Sequence, residues 1–294
     1  MIMNFKEYLK TQKRYSENTL NEKEKQLKNW QQYCGTNQNF ETITTTELLK
    51  IVELQKRKYR PQTLNNQLLT IEQYFFYLIE KGIRKEHPLK NFRIKTDKKP
   101  LIKGLLTEEE LNKIYGNYPV KGHYGGQFDV YKQRNKVILG LMVYQGLSSG
   151  SIAQIELKDI NLEKGTIHIT ERLKTRLNPR NLSLEAVQII ELNNYLIHTR
   201  NKLLELIKTD AGTTKLIPLG NNTQFSSITK NIRKQTKLQE IQQLRNSRIA
   251  LWLKQHNVRV VQYKAGYKRL LSLEQFKQDE LESLKQAVAK YHPF

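Results

Sequence analysis

Cysteine is almost absent from this sequence. The single Cys34 in 294 residues excludes a disulfide framework and a cysteine-based zinc cluster alike. It falls in a helical apolar pattern with no marked partner to activate a thiolate, so it is read as a small core residue. Histidine is sparse too: His87, His123, His168, His198, His256 and His292 are scattered without metal-ligand spacing, and neither a metal nor a cofactor is expected. Long apolar runs are missing. No stretch approaches the roughly 18 residues that suggest a membrane span, and no N-terminal segment has the apolar run of a signal peptide. The expectation is a soluble, cytoplasmic protein with no membrane partner. Among the 14 glycines, Gly122, Gly125 and Gly126 cluster, but with neither dinucleotide-binding nor P-loop spacing, so they are given no phosphate-cradling role.

Acid is the remaining scarcity. Asp and Glu number 28 against 50 Lys and Arg, a net charge of +22, and an excess of this size calls for a phosphate-rich partner. Nucleic acid fits that need better than a generally basic surface. A membrane surface would require a basic amphipathic helix beside strong apolar anchors. The excess is also uneven. From Lys230 to Arg269 there are eleven Lys or Arg against the single Glu240. Arg93, Lys95, Lys98, Lys99 and Lys103 face the lone Asp97, with Pro100 among them, which reads as an extended interdomain linker. Such a linker would lie well on a phosphate backbone, and a solvated charge run is its alternative.

The chain exceeds one typical domain, so two are expected. Residues 4–15 read as a short helix, with Ser16 to Thr19 capping a second over 19–34 through Leu20, Leu27, Trp30 and Cys34. A third over 47–59 turns Leu48, Ile51, Val52 and Leu54 inward and ends at Pro61. A fourth carries the stripe Leu64, Leu68, Ile71, Phe75, Leu78 and Ile79, stopped by Gly82. Beyond the linker, Thr107 and Glu108 to Glu110 form a helix start, 121–128 a loop, and 134–144 a helix. Thr166 to Thr170 and the pair Leu182 and Leu184, across Leu177-Asn178-Pro179, predict a β-hairpin. A long helix over 185–207, a short apolar connection at 216–219 and an amphipathic helix over 274–291 complete a mainly α fold with a small antiparallel sheet.

One stretch names a chemistry. Gln242-Gln-Leu-Arg245-Asn-Ser247 is followed by an apolar helix through Ile249, Leu251, Trp252 and Leu253, then Val260-Val261-Gln262, Ala265-Gly266-Tyr267 and Phe276. It resembles the C-terminal box of the tyrosine recombinase (phage integrase) family, in which His-x-Leu-Arg precedes a helix, Leu-Gly-His and a nucleophilic tyrosine nine residues later. Gly146-Leu147-Ser148-Ser149-Gly150-Ser151-Ile152 resembles the first catalytic box, where an arginine stands at the position of Ser148 and an acid at that of Ser151. Ser16-x-Asn18-Thr19-Leu20, Thr63 to Leu68, Tyr74 to Tyr77 and His87-Pro88-Leu89 look like the family's core-binding domain. The resemblance covers nearly the whole chain. It implies a helical SAM-like DNA-binding domain over 1–92, a basic linker over 93–104 and a catalytic-type domain over 105–294, clamping double-stranded DNA between them.

Family members attack a phosphodiester with the tyrosine hydroxyl and leave a 3′-phosphotyrosine. Two arginines hold the charge that develops on the non-bridging oxygens, a hairpin lysine protonates the leaving oxygen, and histidines assist. Carried over, Arg245 is the second arginine and Lys174 the lysine, flanked by Arg172 and Arg176. Ser148, Gln242 and Tyr267 stand in place of the first arginine and both histidines, and Phe276 in place of the nucleophile. Phenylalanine has no hydroxyl, so no covalent intermediate forms there. The implied role is DNA binding in recombination or in integration of a mobile element, without strand cleavage. The alternatives are an active recombinase with Tyr267 as a displaced nucleophile (Tyr263 and Tyr291 being weaker candidates) and a basic scaffold for RNA or protein. DNA contacts are expected from Arg93, Lys95, Lys98, Lys99, Arg172, Arg176, Lys230, Arg233, Lys234, Arg248, Lys268 and Arg269. Arg245 is expected to touch phosphate rather than serve a core ion pair. The partners expected beside DNA are another recombinase or a second copy engaged through 274–291.

Overall fold

The computed structural model describes residues 2–34, 40–96, 102, 104–121, 126–170, 177–210, 212–221 and 223–276. Two compact units divide the chain, Met1–Lys98 and Lys99–Phe294.

Among the described residues the first unit has four α-helices, α1 (Ile2–Lys13), α2 (Glu17–Gln31), α3 (Thr45–Lys56) and α4 (Pro61–Glu80). The Ser16 hydroxyl accepts the Thr19 N–H at the start of α2, and Thr44 with Glu47 forms a reciprocal capping box on α3, satisfying N–H groups that a helix leaves unpaired. Phe5, Leu20, Leu27, Trp30, Leu48, Leu64 and Phe75 close one core, where the Trp30 indole donates to Gln67 Oε1 at 2.9 Å. Two expectations are corrected. The third helix stops at Lys56, and Pro61 opens α4 instead of ending α3. Proline's fixed φ and missing N–H suit a helix's first position. Leu54 is 48 % exposed, on the outer side of α3.

Residues 91–94, placed partly in the linker by their charge, are tied into this unit. Arg93 pairs with Glu72 at 2.5 Å, Asn91 N–H donates to the same carboxylate, and Ile94 N–H donates to Asn65. Burial alone would raise the Glu72 pKa. The bonds from Arg93 and Asn91 outweigh it and hold the carboxyl below its ordinary value.

The second unit is built on α6 (Gln127–Val143), buried along its whole second half. This helix begins seven residues before the expected Arg134, directly after Gly126, whose φ is +62°. Around it lie α5 (Glu108–Gly116), the short α7 (Ser149–Ile152), α8 (Ala186–Asn194), α9 (Arg200–Ile207), α10 (Phe225–Thr236), α11 (Gln242–Gln255) and α12 (Val258–Ala265). The expected long helix over 185–207 is α8 and α9 joined through a π-helical turn at Tyr195–Thr199. The strands β1 (Ile160–Asn161), β2 (Thr166–Ile169) and β3 (Arg180–Ser183) form an antiparallel sheet in that order. Ile167 faces Leu182 and Ile169 faces Arg180 across the β2–β3 pair. Period two therefore puts Arg180 on the same buried side as Leu182. Among the described residues no helix is long and apolar enough to cross a membrane.

Candidate active site

Arg245 lies in the first turn of α11, 4 % exposed. Its Nη1 donates to the Gly146 carbonyl and its Nη2 to the Ala265 carbonyl at 3.0 Å. The Tyr267 ring centroid is 5.4 Å from its Cζ, within cation–π range. One guanidinium thus fixes the turn after α6 to the end of α12. Gly146 has φ +55°, a conformation that favours glycine, and a Cβ there would press on the Trp252 ring at 3.3 Å.

The positions expected to be substituted have clear local roles. Ser148 is the N-cap of α7: its Oγ accepts from Ser151 N–H at 3.2 Å and is 2.9 Å from Ser151 Oγ. The two serines that stand where an arginine and an acid were expected satisfy each other. Gln242 is exposed at the start of α11 and donates to Asn246 Oδ1 at 3.3 Å. Tyr267, half-buried, pairs its backbone with Leu177, while Asn178 N–H donates to Gly266 O at 2.8 Å. Phe276 is 4 % exposed, closed in with Ile249, Trp252, Val261, Ala265 and Leu273.

A residue that the sequence reading missed lies beside these. Arg180, 2 % exposed, donates from Nε to Lys264 O at 2.9 Å and from Nη1 to Asn178 O at 3.2 Å. Its Nη2 is buried without a partner. The guanidinium rests on Gly266, where an added Cβ would come within 2.3 Å of Nη1. Burial, and then the charge of Arg245, bring its pKa down to about 10. Among the described residues no carboxylate forms an ion pair with Arg180 or Arg245. The signal was present in the alternation: Leu182 and Leu184 define the inward side of the hairpin, and Arg180 is in phase with them.

Arg248, expected on the DNA-facing surface, is instead 5 % exposed. Its Nε donates to Val143 O at 2.7 Å and its Nη1 reaches Glu108 at 3.2 Å. Helical spacing from Arg245 puts it on the inner face of α11. By contrast Lys230, Arg233 and Lys234 on α10, Lys268 and Arg269 after α12, and Lys95 in the first unit are exposed. Arg233 donates to Gln239 O, and Arg93 is held by Glu72 as described. Lys98, Lys99, Arg172, Lys174, Arg176 and all but the first three residues of the segment 274–291, expected to be a helix, lie outside the described residues.

Comparison with known proteins fits this architecture. Residues 2–82 match the family model of the phage integrase N-terminal SAM-like domain. A tyrosine recombinase of Thermosipho africanus is 26 % identical over 166 residues, 55 % of this chain and 55 % of that protein, so the match spans about half the length of that relative. Among solved structures, the XerH site-specific recombinase bound to palindromic difH superposes with a TM-score of 0.71 at 19 % identity, over 98 % of this chain and 84 % of that one. The lambda integrase dimer on a COC′ core site gives 0.65 at 17 %, over 95 % and 76 %. The Tn1549 transposon integrase with transposon right end DNA gives 0.64 at 14 %, over 99 % and 98 %. The mainly α fold with its three-stranded antiparallel sheet is the fold of these proteins. The chain is similar to the tyrosine recombinases: residues 2–82 match the phage-integrase SAM-like domain, a recombinase matches over about half of the chain, and the fold along its length is the tyrosine recombinase fold.

Proposed function

We propose that this protein binds duplex DNA in a recombination process and does not cut it through residue 276. The observation that carries the reading is Phe276, a side chain without a hydroxyl enclosed in an apolar cluster, in a scaffold that keeps Arg245 and an exposed basic surface. Lys230, Lys234, Lys268 and Arg269 of the second unit contact phosphates, as do Lys95 of the first unit and Lys98 and Lys99 of the linker sequence. Arg172 and Arg176, which flank Lys174 in the sequence, are further contacts. The protein occupies a recombination site, pairs with an active recombinase or a second copy through residues 274–291, or regulates a mobile element by competition.

The test is a duplex titration at several salt concentrations, paired with a nicked suicide substrate. Affinity falls steeply with salt, the log–log slope gaining about 0.9 for each neutralised phosphate, and no SDS-resistant adduct accumulates. A salt-independent affinity, or none at low salt, would sink the DNA reading. A second reading rests on Tyr267, whose ring lies beside Arg245. An adduct that disappears in Tyr267→Phe would make this an enzyme with a relocated nucleophile.

A further inference from the structure

We infer that Arg180 and Arg245 together form a binding site for one phosphate group, with Arg180 supplying the guanidinium that the family scaffold would have placed at Ser148. The chemical class is a phosphate monoanion, and a phosphodiester of the bound duplex is its natural source, so the inference rests on the DNA-binding reading for the ligand's origin but not for the site itself.

The first argument is charge. Two guanidinium groups, both at least 96 % buried by the exposures above, are near enough for Arg245 to disfavour the cationic form of Arg180. Among the described residues neither has a carboxylate partner. Burying like charges without a counterion is costly, and proteins do so where an anion completes the arrangement.

The second argument is an unused donor. Arg180 holds its place with Nε on Lys264 O and Nη1 on Asn178 O, which leaves Nη2 buried and unpartnered. Arg245 is held with Nη1 on Gly146 O and Nη2 on Ala265 O. Lys264 and Ala265 are adjacent in sequence, so the end of α12 supplies a carbonyl to each guanidinium and fixes one against the other. Buried donors in native structures are nearly always satisfied, and a tetrahedral oxyanion is the acceptor that two guanidinium groups suit best.

The third argument is access. Tyr263 and Tyr267, which lie close enough to oppose the effect of Arg245 on Arg180, are half exposed and partly exposed respectively. Both rings therefore give the neighbourhood of the pair an edge on solvent. Tyr263 accepts the Asn181 N–H at 3.0 Å, holding β3 to α12 so that Arg180 cannot swing away. Ser148, engaged with Ser151 as a helix cap, offers no cation of its own.

The test uses the full-length chain in three arms. Wild-type protein is melted in inorganic phosphate and in chloride at matched ionic strength, and phosphate alone raises the Tm. No phosphate-specific gain would overturn the site and leave a water as the partner of Nη2. Arg180→Gln loses that gain, binds duplex about tenfold more weakly, and shows a log–log salt slope shallower by about one phosphate. A folded Arg180→Gln with unchanged affinity, slope and phosphate response would refute the inference. Should that variant fail to fold, Arg180→Lys keeps the buried cation but loses the fork, and it is expected to retain a weakened phosphate response; a full response refutes the pairing. Failure of wild-type DNA binding with an intact phosphate response would remove the DNA reading and leave the anion site standing.

Discussion

Gly266→Ala puts the contact between α12 and Arg180 to a direct test. Gly266 closes α12 in the left-handed region at φ +75°, where an alanine costs about 1 kcal/mol or somewhat more. The new Cβ would also lie 2.3 Å from Arg180 Nη1 and 2.7 Å from its Cζ, separations that no atoms tolerate. Either the guanidinium leaves its carbonyls on Lys264 and Asn178, or the end of α12 withdraws Gly266 O from Asn178 N–H. Losing charge-assisted bonds in a buried setting costs about 3 kcal/mol. The total of about 4 kcal/mol corresponds to a Tm drop of roughly 8–16 °C for a unit of this size. Circular dichroism melts read it. Gly266→Asn, which tolerates the left-handed conformation but carries the same Cβ, should recover only about 1 kcal/mol. In an Arg180→Gln background the glycine substitution should cost only the backbone part, a coupling of at least about 2 kcal/mol. A Gly266→Ala protein melting within about 2 °C of wild type would show that the guanidinium does not rest on this glycine.

Three further outcomes are expected. Phe276→Tyr alone gives no covalent adduct on a suicide substrate, because Ser148, Gln242 and Tyr267 still lack the family's groups and residues that act as a unit recover little singly; robust cleavage by it would relocate the first arginine. Adding Ser148→Arg is the minimum change with any prospect of a slow adduct, at a cost of about 1 kcal/mol from the lost helix cap, readable as a lower Tm. Glu72→Gln should flatten the acid limb of stability: the folded carboxyl titrates below its ordinary value, so its contribution is complete above the unfolded pKa and is lost as pH falls through the folded one, and melts between about pH 5 and pH 3 should fall less steeply in the variant than in wild type.

The helices were legible because apolar spacing is a direct imprint of a buried face, and the stripe from Leu64 to Leu78 needed nothing else. The fold of the second unit was legible through the order and spacing of the boxes that resemble the family's. What spacing hides is the direction of a charged side chain. Arg248 and Arg245 look like the other cations of a basic run, yet α11 turns both inward to backbone carbonyls. Arg180 escaped for a related reason, since a cation next to Pro179 reads as a hairpin surface until the sheet register is counted. Leu54 shows the converse, an apolar residue in helical phase that the packing of α3 leaves outside. Pro61 misled through its commoner role as a helix stop, when the sequence after it needed a start.

The two carbonyls that Arg245 holds have a bearing on how such sequences are read. A guanidinium that joins the turn at Gly146 to the end of α12 is needed for the shape of the domain whether or not DNA is ever cut. Ser148 and Gln242 make only local hydrogen bonds, within α7 and α11, and Phe276 contributes to packing and not to a hydrogen-bonded bridge. An arginine at 245 is therefore a poor witness to activity. Its two carbonyl contacts are reason enough for an arginine to be held at this position.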